Sequence, residues 1–147
     1  MSLYTLVFMS RARRPVSEEE LHDIVRVSLE NNGPSAVTSI LLYAQQHFLE
    51  ILEGPRDEID WTFGRICRDP RHTRIEVLLS APIVERSFGD DAMQVLNLGE
   101  STEIDHDELR AIADQAKDDP GKAAIAAFDI IERFYNRYSV SQSKYAA

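Results

Sequence analysis

The sequence has little of what disulfide-stapled proteins and cysteine-based metal sites depend on. Its 147 residues include one cysteine, Cys67, which excludes an internal disulfide and a cysteine-rich zinc site. A lone thiol suits a reducing compartment, so we expect a cytoplasmic protein in which Cys67 is a small core residue. The sequence also has no apolar run long enough to cross a bilayer and no signal-peptide pattern.

Positive charge is scarce as well. The chain has 16 Lys and Arg against 25 Asp and Glu, which gives a formal net charge of -9 and a pI near 4.9. Such a chain is repelled by nucleic acid and by anionic membrane surfaces, so we expect neither as a partner. With 44% hydrophobic residues it can bury a real core. We therefore expect a compact domain with small-molecule or protein partners.

Catalytic motifs are missing too. The sequence has no glycine-rich loop for phosphate and no nucleophile motif. The four histidines are too scattered to predict a metal site. An enzyme using Glu50 with His72, or an acylphosphatase-like activity, has no supporting motif. We expect no catalysis.

The hydrophobic pattern predicts a β-α-β-β-α-β order. Strands are expected at 3–9, 37–44, 48–52, 74–83 and 93–96, and the first helix at 18–31. Ser17 and Glu20 form a capping-box signal for the first helix, and Pro55 opens the second. This order is typical of a ferredoxin-like α+β fold, with a mixed sheet and two helices on one face.

Two more helices are expected after the sheet, at 105–117 and from Asp119-Pro120 onward. The last helix carries an apolar stripe, which is typical of core or of a dimer contact rather than of a cofactor site. Its members are Phe128, Ile131, Tyr135 and Tyr138. We expect these helices to cover the sheet face that holds Leu49 and Ile51, and the polar tail from Ser139 to be loose.

Glu50 stands out because it shares a strand face with Phe48 and Leu52, while Leu49 and Ile51 share the other. An ionised carboxylate on a core face is costly unless it meets a donor, a cation or a bound molecule. Glu50 is therefore either partly solvated or paired for structural reasons, or it faces a ligand.

Asn31 and Asn32 lie where the Asn-Asn-Gly-Pro sequence is expected to end the first helix. Asparagine is a normal residue at a helix end or in a turn. Two adjacent amides can also offer donors and acceptors to a planar heterocycle. Both interpretations stay open at this point.

Seven segments together resemble the BLUF family, the blue-light sensors that use FAD. They occur in the family's order and spacing from Met1 to about Leu96. They are LYTLVFMS (3–10), NN (31–32), LLY (41–43), FLEILEG (48–54), RI (65–66), DPRH (69–72) and API (81–83). The resemblance implies the ferredoxin-like fold, with a flavin-binding domain over 1–98. A helical extension over 99–147 would pack on the same unit.

The resemblance also implies that the isoalloxazine ring of FAD lies between the first two helices and against the sheet. Ile24 and Phe48 would pack against the ring. Asn31 and Asn32 are similar to the amides that hold the pyrimidine edge of the flavin.

Arg65, Asp69 and His72 match polar residues near the ribityl and phosphate side in family members. A cation and an imidazole suit a dinucleotide phosphate, which needs charge-assisted donors. The structural alternative is an ion pair between Arg65 and Asp69, four residues apart, with a solvent-exposed His72.

Key positions depart from the family pattern. The family's light chemistry uses a tyrosine on the first strand, a glutamine at the flavin N5/O4 edge, and often a tryptophan near a methionine. Here these positions are Phe8, Glu50 and Asp91, with Met93 retained. Tyr4 is on the strand face of Phe8 but roughly 13 Å away. An ionised Glu50 could only accept hydrogen bonds and would repel the N5/O4 edge of the flavin. A protonated Glu50 could donate one hydrogen bond. Burial favours the protonated form.

We therefore predict an FAD-binding BLUF-family sensor or regulatory domain whose usual tyrosine-glutamine photocycle is disabled. Its signal would pass through contacts with an unidentified downstream protein, at the C-terminal helices or at the interface of a homo-oligomer. The alternative is a flavin-free, BLUF-like interaction module in which large side chains fill the gap between the two helices.

Overall fold

The computed structural model describes residues 2–89, 93–99 and 101–138, with the backbone alone at 31–35 and 136–138. The chain forms five strands and four helices in these ranges. They are β1 (Leu3–Ala12), α1 (Glu18–Ser35), β2 (Thr38–Ala44), β3 (His47–Gly54), α2 (Arg56–Cys67), β4 (His72–Ile83), β5 (Gln94–Gly99), α3 (His106–Asp118) and α4 (Pro120–Tyr138). The predicted order of elements is confirmed. No helix in the described ranges is long and apolar enough to span a membrane.

The strands form a single mixed sheet in the order β4-β1-β3-β2-β5. Strand β1 runs antiparallel to β3 and β4, β2 runs antiparallel to β3, and β5 runs parallel to β2. The ferredoxin-like α+β prediction is therefore confirmed. This order places β1 beside β3, with Phe8 directly opposite Glu50.

The predicted helix starts are also confirmed. The hydroxyl of Ser17 accepts from the backbone N–H of Glu20, and the Glu20 carboxylate accepts from the N–H of Ser17. Pro55 is the residue before the first turn of α2. A carboxylate oxygen of Asp119 accepts from the N–H of Lys122 at 3.2 Å, which is the capping bond expected for α4.

Two predictions about residues near helix ends were wrong. Helix α1 does not stop at residue 31 but continues to Ser35, because the left-handed residue that closes it is Ala36, with a φ of 60°. The Asn-Asn-Gly-Pro signal was overridden by the surrounding structure. Cys67 is exposed rather than in the core. It turns to solvent in the last turn of α2, whereas its neighbour Ile66 packs against the sheet.

Helices α1 and α2 cover one face of the sheet, which we call the front face, and α3 and α4 pack against the other, the back face. The back face has one continuous apolar cluster that joins Leu49 and Ile51 to Ile112, Ile131 and Phe134. The predicted coverage by the C-terminal helices is therefore confirmed. The side chain of Tyr138 and the tail from Ser139 lie outside the described residues.

The front face has two separate apolar clusters. One joins Leu21 and Val25 of α1 to Leu41, Tyr43 and Phe48. The other joins residues of β1, β3 and α2 to the residue before β2, and its members are Leu6, Phe8, Val37, Leu52 and Ile59. The gap between these two clusters positions the candidate site.

Candidate functional site

A cavity of about 90 Å³ opens between α1, α2 and the front face. It is lined by Phe8, Ile24, Val27, Ser28, Leu41, Phe48, Glu50, Arg65, Ile66, Asp69, Arg71, His72 and Met93. The cavity brings together every residue of the predicted site whose side chain is described. The side chains of Asn31 and Asn32 lie outside the described set, although their backbone belongs to α1. Asp91 is outside the described residues altogether.

The register of the sheet builds the floor of this cavity. Phe8 of β1, Glu50 of β3 and Leu41 of β2 lie directly opposite one another across three strands. Residues opposite each other in an antiparallel pair point to the same face, with Cβ atoms roughly 5 Å apart. An aromatic ring, a carboxyl group and an aliphatic side chain therefore stand in one row.

Glu50 is the central group of that row. It is 5% exposed, and among the described residues it makes no hydrogen bond and no ion pair. Burial away from water raises its pKa to about 8. A pKa in this range favours the neutral acid at pH 7, whose O–H can donate. The expectation of a buried acid on the core face is confirmed, and the alternative of a paired Glu50 finds no partner among the described side chains.

Phe8 belongs to the packed part of the front face. It is 1% exposed, and its ring centroid lies 5.1 Å from that of Phe63 on α2. Tyr4 is four residues away along β1, opposite Gly54, with the guanidinium of Arg56 at 5.2 Å over its ring. Tyr4 thus lies at the other end of α2, which agrees with the prediction that it cannot replace a tyrosine at position 8.

His72 is buried, so the structural alternative of an exposed His72 is wrong. Its Nε2 lies 2.8 Å from the carbonyl oxygen of Ile66, and its Nδ1 lies 2.7 Å from the hydroxyl of Ser10. Because a carbonyl only accepts, Nε2 carries the hydrogen, and a neutral ring then accepts the Ser10 hydroxyl at Nδ1. Both nitrogens are used within the protein, and the ring lies edge-on to Phe48. His72 therefore joins β4 to β1 and α2 and forms part of the cavity wall.

Asp69 pairs with Arg71 and not with Arg65, so the predicted alternative pair is wrong. The shortest contact joins Nη2 of Arg71 to Oδ2 of Asp69 at 2.6 Å. Burial opposes the charge of Asp69, but the hydrogen bonds from Arg71 outweigh it and lower the pKa of the carboxyl group. Asp69 lies beyond the last residue of α2, so helical spacing does not apply to it. The guanidinium of Arg65 instead lies 5.1 Å over the ring of Trp61.

Arg71 is a cavity residue that sequence reasoning missed. Besides its bonds to Asp69, its guanidinium donates to the carbonyl of Glu20 in α1 at 3.4 Å. It therefore connects the loop before β4 to the first helix and places a second cation beside Arg65. The sequence signal that could have identified Arg71 is its position within the DPRH segment.

Met93 lies at the far edge of the cavity, just before β5. Its sulfur accepts a hydrogen bond from the hydroxyl of Ser39 on β2 at 3.2 Å. This contact fixes the thioether beside Leu41. No group of three or more His, Cys, Asp or Glu side chains in the described ranges is arranged to hold a metal ion.

The sequence matches the family model of BLUF, described as sensors of blue-light using FAD, over residues 3–94. The chain belongs to the BLUF family. Since the match covers β1 to the start of β5, all the described residues that line the cavity lie within it. The predicted family membership is confirmed.

Two curated relatives illustrate the match. The blue light- and temperature-regulated antirepressor BluF of Escherichia coli K12 is 34% identical over 96 residues, covering 65% of this chain and 24% of that protein. The beta subunit of photoactivated adenylate cyclase from Euglena longa is 38% identical over 87 residues, covering 59% of this chain and 10% of that protein. The chain thus matches about a tenth to a quarter of the length of these relatives.

Solved structures show the same fold. The dark-state structure of BlrB, a BLUF protein, has a TM-score of 0.65 and 32% identity, and the match covers 86% of this chain and 92% of that one. A bacterial light-regulated adenylyl cyclase also has a TM-score of 0.65, with 33% identity, covering 78% of this chain and 34% of that one. The BLUF fold of this chain is therefore supported by both sequence and structure.

Proposed function

We propose that this chain is an FAD-binding regulatory domain of the BLUF family whose usual tyrosine-glutamine photocycle is disabled. The observation that carries the proposal is the pair of Phe8 and Glu50 side by side on the cavity floor. Phe8 has no phenolic proton to give. Glu50, when neutral, can donate one hydrogen bond but lacks the second N–H of an amide.

The chemistry of the cavity lining suits a flavin. When bound, FAD would supply the blue-light absorption and the redox-active ring. Ile24 and Phe48 would exclude water from the two sides of the ring, and Glu50 would donate to its N5/O4 edge. Arg65 and Arg71 would supply charge-assisted donors to the phosphates. Asn31 and Asn32 are proposed for the pyrimidine edge from the family resemblance alone.

A flavin-free interaction module is the second candidate, and the size of the cavity favours it. The described side chains leave about 90 Å³, whereas ligand pockets usually begin near roughly 300 Å³. Contact between Phe8 and Phe63 fills part of the gap between α2 and the sheet. Flavin binding therefore requires the side chains between the helices to move apart, and without that movement the front face stays closed.

The visible absorption spectrum separates these candidates. Freshly purified protein is measured in the dark and under blue light, before and after incubation with FAD. Yellow protein without a reversible red shift is the expected result. Protein that stays colourless after incubation supports the flavin-free candidate, and a reversible shift in the wild type contradicts a disabled photocycle.

The double variant Phe8→Tyr with Glu50→Gln tests the roles of the two residues. In the flavin-loaded variant we expect a light-induced red shift to return, because a phenolic donor and an amide again meet the ring. Each single variant is the matched control and should show no reversible shift. A flavin-loaded double variant without recovery would show that other positions of the cavity prevent the photocycle.

The remaining parts of the proposal concern signalling. We propose a cytoplasmic, non-enzymatic domain over 1–98 with a helical extension over 99–147, which acts by contact with a downstream protein and forms a homo-oligomer. The naming of one relative as a light-regulated antirepressor supports action through a protein partner. Light scattering coupled to size exclusion tests the oligomer, and a monomer at micromolar concentration would contradict it.

A further inference from the structure

A second cavity, of about 280 Å³, lies between the back face of the sheet and helix α3. Its lining is Met9, Ser10, Arg11, His47, Arg74, Glu76, Arg110, Ala113, Asp114 and Lys117. We call it the basic cleft, because four cationic side chains face two carboxylates. Such a positive lining is unexpected in a chain of net charge -9, since clustered cations repel one another unless an anion joins them.

Most of this positive charge is not paired with a carboxylate in the part of the chain that the structure describes. Among the described residues, the guanidinium groups of Arg11 and Arg74 have no carboxylate partner. Arg110 donates to Nε2 of His106 at 3.0 Å, a contact that leaves its charge uncompensated. Within the described ranges, Lys117 contacts only the carboxylate of Asp114, at 3.8 Å, and solvent screens this exposed contact strongly.

His47 lies in the lining of the basic cleft and is 2% exposed. Its Nδ1–H donates to the carbonyl of Gln45 at 2.9 Å, which leaves Nε2 without a partner among the described residues. The ring centroid lies 5.2 Å from that of His106. An imidazole nitrogen that borders a cavity and has no partner among the described residues can donate to a bound anion once it is protonated.

The backbone at Arg74 is unusual in a way that favours a binding role. Its φ is 55°, a left-handed conformation that a β-branched or long side chain rarely adopts. The β1–β4 register shifts between Met9 and Arg11, so Arg74 lies in a bulge. Bulges redirect side chains, and strained residues persist mainly where the surrounding structure requires them.

We propose that the basic cleft binds a small multivalent anion carrying phosphate groups. Arg11 of β1, Arg74 of β4 and Arg110 of α3 would supply planar N–H forks that match phosphate oxygens. His47 would give a further donor from β3. The three arginines come from three separate elements and line a cavity of about 280 Å³, which is large enough for a short phosphate chain. The cleft lies behind the sheet, so the proposal does not depend on FAD.

Isothermal titration of the full chain with tripolyphosphate at low ionic strength tests this assignment. We expect saturable binding to one site, weakened at least tenfold in the double variant Arg11→Gln with Arg74→Gln. The matched control is Arg13→Gln with Arg68→Gln, which removes the same charge from exposed positions outside the cleft and should change affinity less than threefold. Absence of binding, or an equal loss in the control, would overturn the proposal.

The pH dependence of binding isolates the role of His47. Burial, followed by the charges of Arg11, His106 and Arg110, lowers the pKa of His47 in the free protein. The other groups that line the cleft near it are Arg74 and Glu76 of β4, and Asp114 and Lys117 of α3. A bound anion favours the protonated ring, so affinity should rise several-fold as the pH falls from 8 to 6. Sulfate is the probe, because it keeps its charge over this range.

The variant His47→Gln should bind sulfate with little pH dependence, whereas His106→Gln should keep the wild-type dependence. The reverse result would assign the titration to His106 and overturn the role of His47. Should His47→Gln fail to fold, NMR titration of the wild-type ring protons gives the same answer. Saturating sulfate should raise the pKa of His47, and an unchanged pKa would contradict the proposal.

Discussion

The two faces of the sheet are built from the same strands but packed differently. On the back face, one continuous apolar cluster joins the strands to α3 and α4. On the front face, two clusters leave a cavity between them, and a carboxyl group lies on its floor. Protein interiors are normally close-packed, and an unpaired buried acid costs stability. The comparison indicates that the apolar packing of the back face is continuous beside the basic cleft, whereas on the front face a cavity and an unpaired acid interrupt it.

Consecutive leucines on β2 allow the largest test of this comparison. Leu42 is in the back-face cluster, and Leu41 lines the front cavity. Leu42→Ala should cost about 3–5 kcal/mol, because it opens a cavity in a close-packed region. Leu41→Ala should cost at least about 1 kcal/mol less, since its side chain already borders open space. Urea unfolding of the two variants measures the difference, and equal losses would show that the two faces are equally well packed.

Glu50→Gln is expected to have the next largest effect. Burial raises the pKa of Glu50 to about 8 in the folded protein, from its ordinary value of 4.5, so the unfolded chain releases this proton first as the pH rises. The stability associated with Glu50 is complete below pH 4.5 and is lost as the pH rises toward 8. Between pH 4.5 and 7 this loss is about 3 kcal/mol, and the glutamine variant should not show it.

The free energy of unfolding is measured at pH 5 and pH 7, without added flavin, for the wild type and for Glu50→Gln. The change between the two pH values is then compared. Glu132→Gln is the matched control, because Glu132 is exposed on α4, and it should keep the wild-type slope. A wild type and a Glu50→Gln variant with the same pH dependence would mean that Glu50 is ionised in the folded protein.

The helix caps should show the smallest effect and sharpen the comparison. Ser17 caps α1 over the front face, and Asp105 caps α3 over the back face. Replacement of either residue by alanine should cost about 1 kcal/mol, because each loses one capping bond. Similar losses of unfolding free energy would mean that the two faces differ in their packing. A much larger loss for one cap would mean that they differ in the stability of the helix ends.

The sequence was sufficient for those features that depend on local periodicity. Alternation along β3 placed Glu50 on a buried face, and the Ser17-Glu20 pattern placed the start of α1, because both are set by residues close in sequence. The family resemblance added the set of residues that line the front cavity.

Features that depend on three-dimensional packing could not be predicted from local periodicity or from the family resemblance. The pair of Asp69 and Arg71 forms in a loop, outside any helical spacing. The end of α1 is decided at Ala36, and the outward turn of Cys67 depends on how α2 rotates over the sheet. The basic cleft was missed entirely, since its arginines are spread over three elements and Arg74 lies in a bulge.

Cys67 gives the molecule a single natural attachment point for a spectroscopic label. It is exposed in the last turn of α2, two residues after Arg65 and next to Ile66, both of which line the front cavity. Burial raises the pKa of the thiol, and the nearby charge of Arg68 only partly offsets this, so alkylation should proceed faster in mildly alkaline buffer. A fluorophore or spin label at this position would follow movement of α2 against the sheet without any change to the native sequence.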